Sequence, residues 1–173
     1  RDMFSLTESD LTKRILGCSD GPASFNREVT AQDGEVISVD PLYQFSNKEI
    51  EQRISEVALE ILPQMEKSAN DFLWESIKSV KQLEEIRMDA MNSFLTDYEN
   101  GKEENRYIKA ELPTLPLETQ SFHLALCSHF LFLYSEQFSE QFHIESVTEL
   151  CRIAEEVRIY PLVDLKNRRS VHL

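Results

Sequence analysis

Short apolar runs with strand character recur along the chain, and segments of helical period separate them. The run FHLALCS, residues 122–128, limits the fold most tightly. It is too apolar for a sheet with one wet face and suits a strand covered by helices on both sides. EVISVDP, residues 35–41, has the same character: Val36, Ile37 and Val39 are β-branched, Asp40 ends the strand and Pro41 stops the run. RYIKAEL (106–112) and EVRIYPLVDL (156–165) extend the series, the second with Pro161 inside it.

The segments between follow a different period. Thr7, Ser9 and Asp10 ahead of Leu11 predict a short helix leading into the strand RIL, and ASFNREVTA (23–31) predicts two helical turns before a turn at Asp33-Gly34. Ser46 and Glu49 form a capping box for a helix carrying Ile50, Ile54, Val57, Ala58 and Ile61, which Pro63 ends or kinks. Met91, Phe94, Leu95 and Tyr98 mark a second helix closing at Asn100-Gly101, and Val147, Leu150, Cys151 and Ala154 mark a third. Strands alternating with helices argue for one α/β domain over residues 1–173, a doubly wound, mostly parallel sheet with right-handed crossovers and a helical insertion over about 46–100.

Composition narrows the partners. The net charge is -13, and the longest basic run is the pair Arg168-Arg169, so the stripe that nucleic-acid backbones require is missing. No window approaches the roughly 20 apolar residues of a membrane span, and RDMFSLTESD has no signal-peptide core. Cys18, Cys127 and Cys151 are widely spaced, odd in number and without a C-x-x-C pair, which predicts reduced thiols in a cytoplasmic protein. An initial Arg raises the expectation of a fragment, or the ordered part, of something longer.

Only four glycines are present, and two of them, Gly17 and Gly21, lie within KRILGCSDGPASF just after the first apolar run. At the carboxyl end of a parallel strand, glycines let the backbone approach a ligand closely. Asp40 follows Gly21 by 19 residues, near the spacing at which a carboxylate accepts ribose hydroxyls, so the pair predicts a nucleoside-containing cofactor. The dinucleotide pattern G-x-G-x-x-G is not met by GCSDGP, and the G-K-[ST] of a phosphate-binding loop is absent.

The segment instead resembles the G-x-G-x-G loop of class I S-adenosylmethionine-dependent methyltransferases, a Rossmann-like family in which LGCGDG is a common form. VISVDP is similar to that family's second strand, and KAELPTLPLETQSFHLALCSHFLF to its GDAxxLPFxxxSFDLVxxxxxL region. The resemblance covers residues 13–43 and 106–165. It implies a cofactor site built from Gly17, Cys18, Ser19, Asp20 and Gly21, from Asp40, Pro41 and Leu42 at the ribose and adenine, and from Glu111 and Leu112 near the adenine amino group. Cys127, Ser128 and His129 would line the methionine end. The implied activity is methyl transfer from S-adenosylmethionine, with His129 the candidate general base. With the acidic charge, the absence of a [DN]-P-P-[YF] segment after the fourth strand favours the expectation of a small-molecule or protein acceptor.

Ser19 replaces the middle glycine, Ile15 an acidic residue and His123 the Asp of SFD, which leaves open a cofactor-binding protein without catalysis. Asp40 alone leaves open a nicotinamide-dependent oxidoreductase. Cys127 and His129 offer too few donors for a tetrahedral metal site. Phe72, Leu73 and Trp74, and the run Phe130, Phe132 and Tyr134, suit either core packing or a substrate pocket, and the acidic runs at Glu84-Glu85 and Glu103-Glu104 read as solvated surface. The chain ends at NRRSVHL, where the family adds a helix and two strands, so the expectation is a shortened chain or a homodimer covering an apolar edge strand.

Overall fold

A computed structural model describes residues 2–67 and 79–173, with side chains described to residue 58 and again from 79; Phe72, Leu73 and Trp74 lie outside the described residues. Five strands form one parallel sheet: β1 (Arg14–Cys18), β2 (Glu35–Val39), β3 (Tyr107–Ile108), β4 (Phe122–Ser128) and β5 (Ala154–Tyr160). Their spatial order is β3-β2-β1-β4-β5, so the chain starts in the middle, works out to one edge and crosses back to the other. Among the described residues, five α-helices accompany them: α1 (Glu8–Leu11), α2 (Phe25–Thr30), α3 (Asn47–Lys67), α4 (Val80–Glu103) and α5 (Glu140–Ile153).

Strand alternation sorts the apolar residues into two layers. Leu16, Cys18, Val39, Ala125 and Cys127 pack with Leu150 and Ile153 of α5 on one face. Ile15, Val36, Leu124 and Leu126 pack with Val29 of α2 on the other. This is the doubly wound arrangement expected, with both faces of the sheet buried. A third cluster, Tyr43, Ile50, Ile54, Phe94, Tyr98 and Tyr107, joins α3 and α4 to the β3 edge. Among the described residues, no helix is long and apolar enough to cross a membrane.

Several element boundaries depart from the sequence expectation. The strand signal RYIKAEL collapses to two residues because β2, its only neighbour, ends at Val39 opposite Ile108. Of the two outcomes expected at Pro63, an end to the helix is excluded, because α3 continues to Lys67. Gly101 lies inside α4 and caps nothing: a Cβ there would overlap the Tyr107 ring, so the glycine serves close packing. Ala154 leaves the helix to begin β5, and β5 stops before Pro161, which has no N–H for the ladder.

The outer edge, β5, is charged where an apolar edge was expected. Arg158 reaches Asp10 at 3.2 Å and Glu156 at 2.6 Å, and Lys13 lies between Asp10 and Glu156. Arg158 also donates to the carbonyl of Phe4, which belongs to an N-terminal 3-10 turn packed on this strand. Charges and a covering segment are established ways to blunt a sheet edge.

Candidate functional site

The site is built at the carboxyl ends of β1 and β2, beside the β1–β4 junction where the strand order reverses. Leaving β1, Ser19 donates its N–H to the carbonyl of Val39 at 2.9 Å, which ties the turn to the end of β2. Ser19 and Gly21 both have φ of 58°, in the left-handed region. Ser19 therefore holds a left-handed conformation that glycine adopts freely, at a backbone cost of about 1 kcal/mol. Gly17 answers a different need: Asp20 folds back over it, so that a Cβ on Gly17 would collide with the carboxylate and lie 2.6 Å from its Cγ.

Asp40 fastens the turn from the other side. Its Oδ2 accepts the N–H of Gly21 at 2.9 Å, and its Oδ1 accepts the N–H of Leu42 at 2.7 Å. The second bond caps a 3-10 turn, Pro41–Gln44, whose Tyr43 hydroxyl donates back to the Gly21 carbonyl at 2.8 Å. A carboxylate has about four acceptor positions, so Asp40 keeps two after holding this backbone.

Two acids share this edge. Desolvation raises the pKa of Asp20 to about 6; a 2.7 Å hydrogen bond from the Ser38 hydroxyl opposes the rise and the charge of Asp40 adds to it. Asp40 is raised as well, by desolvation against its two backbone donors. Tyr43 is held far above its ordinary value by burial and by both carboxylates, so its hydroxyl remains a donor.

At the end of β4, Cys127 stands opposite Cys18 in the ladder. Both thiols are buried; contact with Cys127, then burial, raises the pKa of Cys18 well above the ordinary thiol range, so Cys18 stays protonated and unreactive. The Ser128 hydroxyl lies 2.8 Å from His129 Nδ1. His129, at φ 51°, donates its N–H to the Tyr160 carbonyl. Desolvation and the nearby charge of Arg87 lower its pKa, so its imidazole is neutral near pH 7, as a base must be.

No protein-family model matches the chain. Uncharacterized protein MJ0045 of Methanocaldococcus jannaschii is 32% identical over 176 residues, an alignment spanning 99% of this chain and 77% of the archaeal protein. The chain belongs to the MJ0045 family. The alignment takes in every element of the site described above.

Measured against the sequence expectation, the fold joins the glycine turn, Asp40, Pro41 and Leu42 into one hydrogen-bonded unit. Cys18 and Cys127 belong to the core beneath that unit, and Leu112 is buried in the same cluster. Glu111 is exposed, paired only through its backbone with Thr114, and stands outside the Asp40 network. Two partners escaped the sequence reading, Ser38 beneath Asp20 and Tyr43 on Gly21. Ser38 is the single polar side chain among the β-branched residues of β2, and that was the available signal.

Proposed function

We propose that the protein binds S-adenosylmethionine across the β1 and β2 ends and transfers its methyl group to a small-molecule or protein acceptor. The observation that carries this reading is the 2.9 Å bond from the Gly21 N–H to Asp40. It fixes an acidic side chain against a glycine turn at the reversal point of a β3-β2-β1-β4-β5 sheet, where open α/β sheets bind ligands. The two acceptor positions left on Asp40 suit the vicinal hydroxyls of a ribose, and Pro41 and Leu42, which follow it in the 3-10 turn, suit the face of a base.

When bound, the cofactor supplies an electrophilic methyl on a sulfonium. The chain's own residues then orient and enclose: the Gly17–Gly21 turn brings backbone close, and the apolar side chains beside it exclude water. His129, neutral with Nδ1 beside Ser128, holds an imidazole at the end of β4 where a proton released by an acceptor could be taken up.

Calorimetric titration with S-adenosylhomocysteine tests the reading. Wild type should bind, and Asp40→Ala should bind at least about tenfold more weakly, as expected when a charged acceptor is lost. Because Asp40 also holds the turn, Asp40→Asn, which keeps an oxygen for Leu42, accompanies it. Absence of binding by wild type, or equal binding by Asp40→Ala, overturns the assignment; binding of NAD in place of S-adenosylhomocysteine replaces it with an oxidoreductase.

A further inference from the structure

Behind the glycine turn, a chain of hydrogen bonds runs from Asp20 to a cation. The Ser38 hydroxyl donates to Asp20 Oδ2 at 2.7 Å. Asn26 of α2 donates its Nδ2–H to the same hydroxyl at 3.1 Å, and Arg106 donates its Nη1–H to Asn26 Oδ1 at 2.7 Å. Asn26 and Ser38 are each 1% exposed, so these side chains must satisfy one another.

Chemistry fixes the direction of every bond in the chain. A guanidinium has no acceptor, so the Asn26 atom that faces Arg106 is the oxygen. The other end of the amide faces the carbonyls of Val36 and Arg106, both at 3.2 Å, which can only accept, so it is the nitrogen. An amide nitrogen offers no lone pair to the Ser38 proton. The Ser38 oxygen therefore accepts from Asn26 and sends its own proton on, and Asp20 receives it.

A hydrogen bond donated to an ionised acceptor favours that form strongly enough to move a carboxyl's midpoint by about one pH unit. Asp20 depends on it, because enclosure holds its proton up to about 6 even with the Ser38 bond in place. The titratable groups that act on it electrostatically are Asp40, Tyr43 and Cys18, none of them a cation. Of the charges on the elements behind, Arg27 of α2 is turned to Ser93 of α4, and Asp97 and Glu104 pair with Arg106.

We propose that Asn26 is a positioning residue of the cofactor site, which commits the Ser38 hydroxyl to Asp20 and so keeps that carboxylate ionised for a cationic ligand. That this serves a cofactor rests on the S-adenosylmethionine reading; the relay itself does not.

NMR of side-chain carboxyl carbons follows the Asp20 titration in the free protein. Ser38→Ala, which removes the donor, should raise the midpoint by about one pH unit. Asn26→Asp keeps the shape and puts an acceptor, held ionised by Arg106, where the nitrogen was; the Ser38 hydroxyl turns to it and the midpoint should rise by a similar amount. The two rises should not add in the double variant, since each breaks the same bond. Asn26→Ala, which releases the hydroxyl to the Val36 and Arg106 carbonyls, should move the midpoint the same way and serves if Asn26→Asp does not fold. An unchanged midpoint in the Ser38 or Asn26 variants, or additive rises, overturns the relay. Calorimetry with S-adenosylhomocysteine, whose ammonium supplies the positive charge, reads the consequence. Where the ionised form binds, a rise of about one unit weakens binding about fivefold at about pH 6 and hardly at about pH 8. Equal weakening at both overturns the positioning role, because a damaged fold would do the same. A midpoint that moves as expected in a protein that ignores S-adenosylhomocysteine at every pH upholds the relay and rejects the methyl-donor reading.

Discussion

Replacing Asp20 by Asn should stabilise the protein increasingly as pH rises from acid to neutral. The Asp20 carboxyl titrates at about 6 when folded against an ordinary value of 3.8, because its enclosure disfavours the charged form more than the Ser38 hydroxyl favours it. Between those two values the unfolded chain is ionised and the folded chain still holds the proton, so the unfolded state binds fewer protons and stability falls as pH rises. The penalty is absent below the unfolded value and complete above the folded one. A shift of this size corresponds to about 3 kcal/mol, reduced to about 2 because part of the residue faces solvent. An Asn at this position keeps an oxygen for the Ser38 hydroxyl and carries no charge to desolvate. Urea denaturation of wild type and Asp20→Asn, measured between about pH 4 and about pH 7.5, isolates the effect, since every other titrating group is common to both proteins. The stability difference should grow by about 2 kcal/mol in favour of the variant across that range. Parallel curves would refute the enclosure of the carboxylate; a difference growing in the opposite sense would mean that Asp20 is paired with a positive charge.

Two further substitutions follow from the same geometry. Gly17→Ala places a methyl against the Asp20 carboxylate and should drive it off Ser38 into solvent, so the pH dependence assigned to Asp20 disappears in denaturation; Gly21→Ala, with no atom within 4 Å of the new Cβ, should cost only the left-handed backbone term of about 1 kcal/mol. Asp97→Ala removes one partner of Arg106, which it holds through two bonds of 2.7 and 2.8 Å, and that of the Tyr107 hydroxyl at 3.0 Å, while Glu104 and Asn26 still pair with Arg106; the loss in urea denaturation should be about 2 kcal/mol, and smaller in Asp97→Asn.

What the sequence displays is what short-range rules determine. The apolar runs at 122–128 and 35–39 become β4 and β2 because no half-exposed sheet could accommodate them. The Ser46–Glu49 capping box forms as read, with the Ser46 N–H and hydroxyl both donating to Glu49, at 2.8 and 2.7 Å. What it hides depends on partners that only the fold supplies. β3 shrinks because of where β2 stops, and Gly101 is needed because Tyr107 returns to pack on it. Asn26 donates to the Ser38 hydroxyl and to the Arg106 carbonyl, and accepts from the Arg106 guanidinium across 80 residues of sequence. Glu111 lies exposed beyond the end of β3, which stops at Ile108, and its place there follows from where that strand ends.

The electrostatics of the β1–β2 edge also bear on which cofactor it suits. The charge of Asp40 disfavours that of Asp20, and among the described residues no arginine or lysine is hydrogen-bonded to either. A dinucleotide would bring a pyrophosphate with two negative charges to the glycine turn, beside two carboxylates whose pKa values burial has raised. A sulfonium ligand with an ammonium group brings positive charge to the same place, favours the ionised form of both acids, and draws their pKa values back down. The apparent defect of two enclosed, mutually repelling carboxylates then becomes a preference. The edge is held in a state of unfavourable charge that a cation relieves and an anion worsens, and that preference separates the proposed methyl donor from a nicotinamide cofactor more sharply than the spacing of two glycines does.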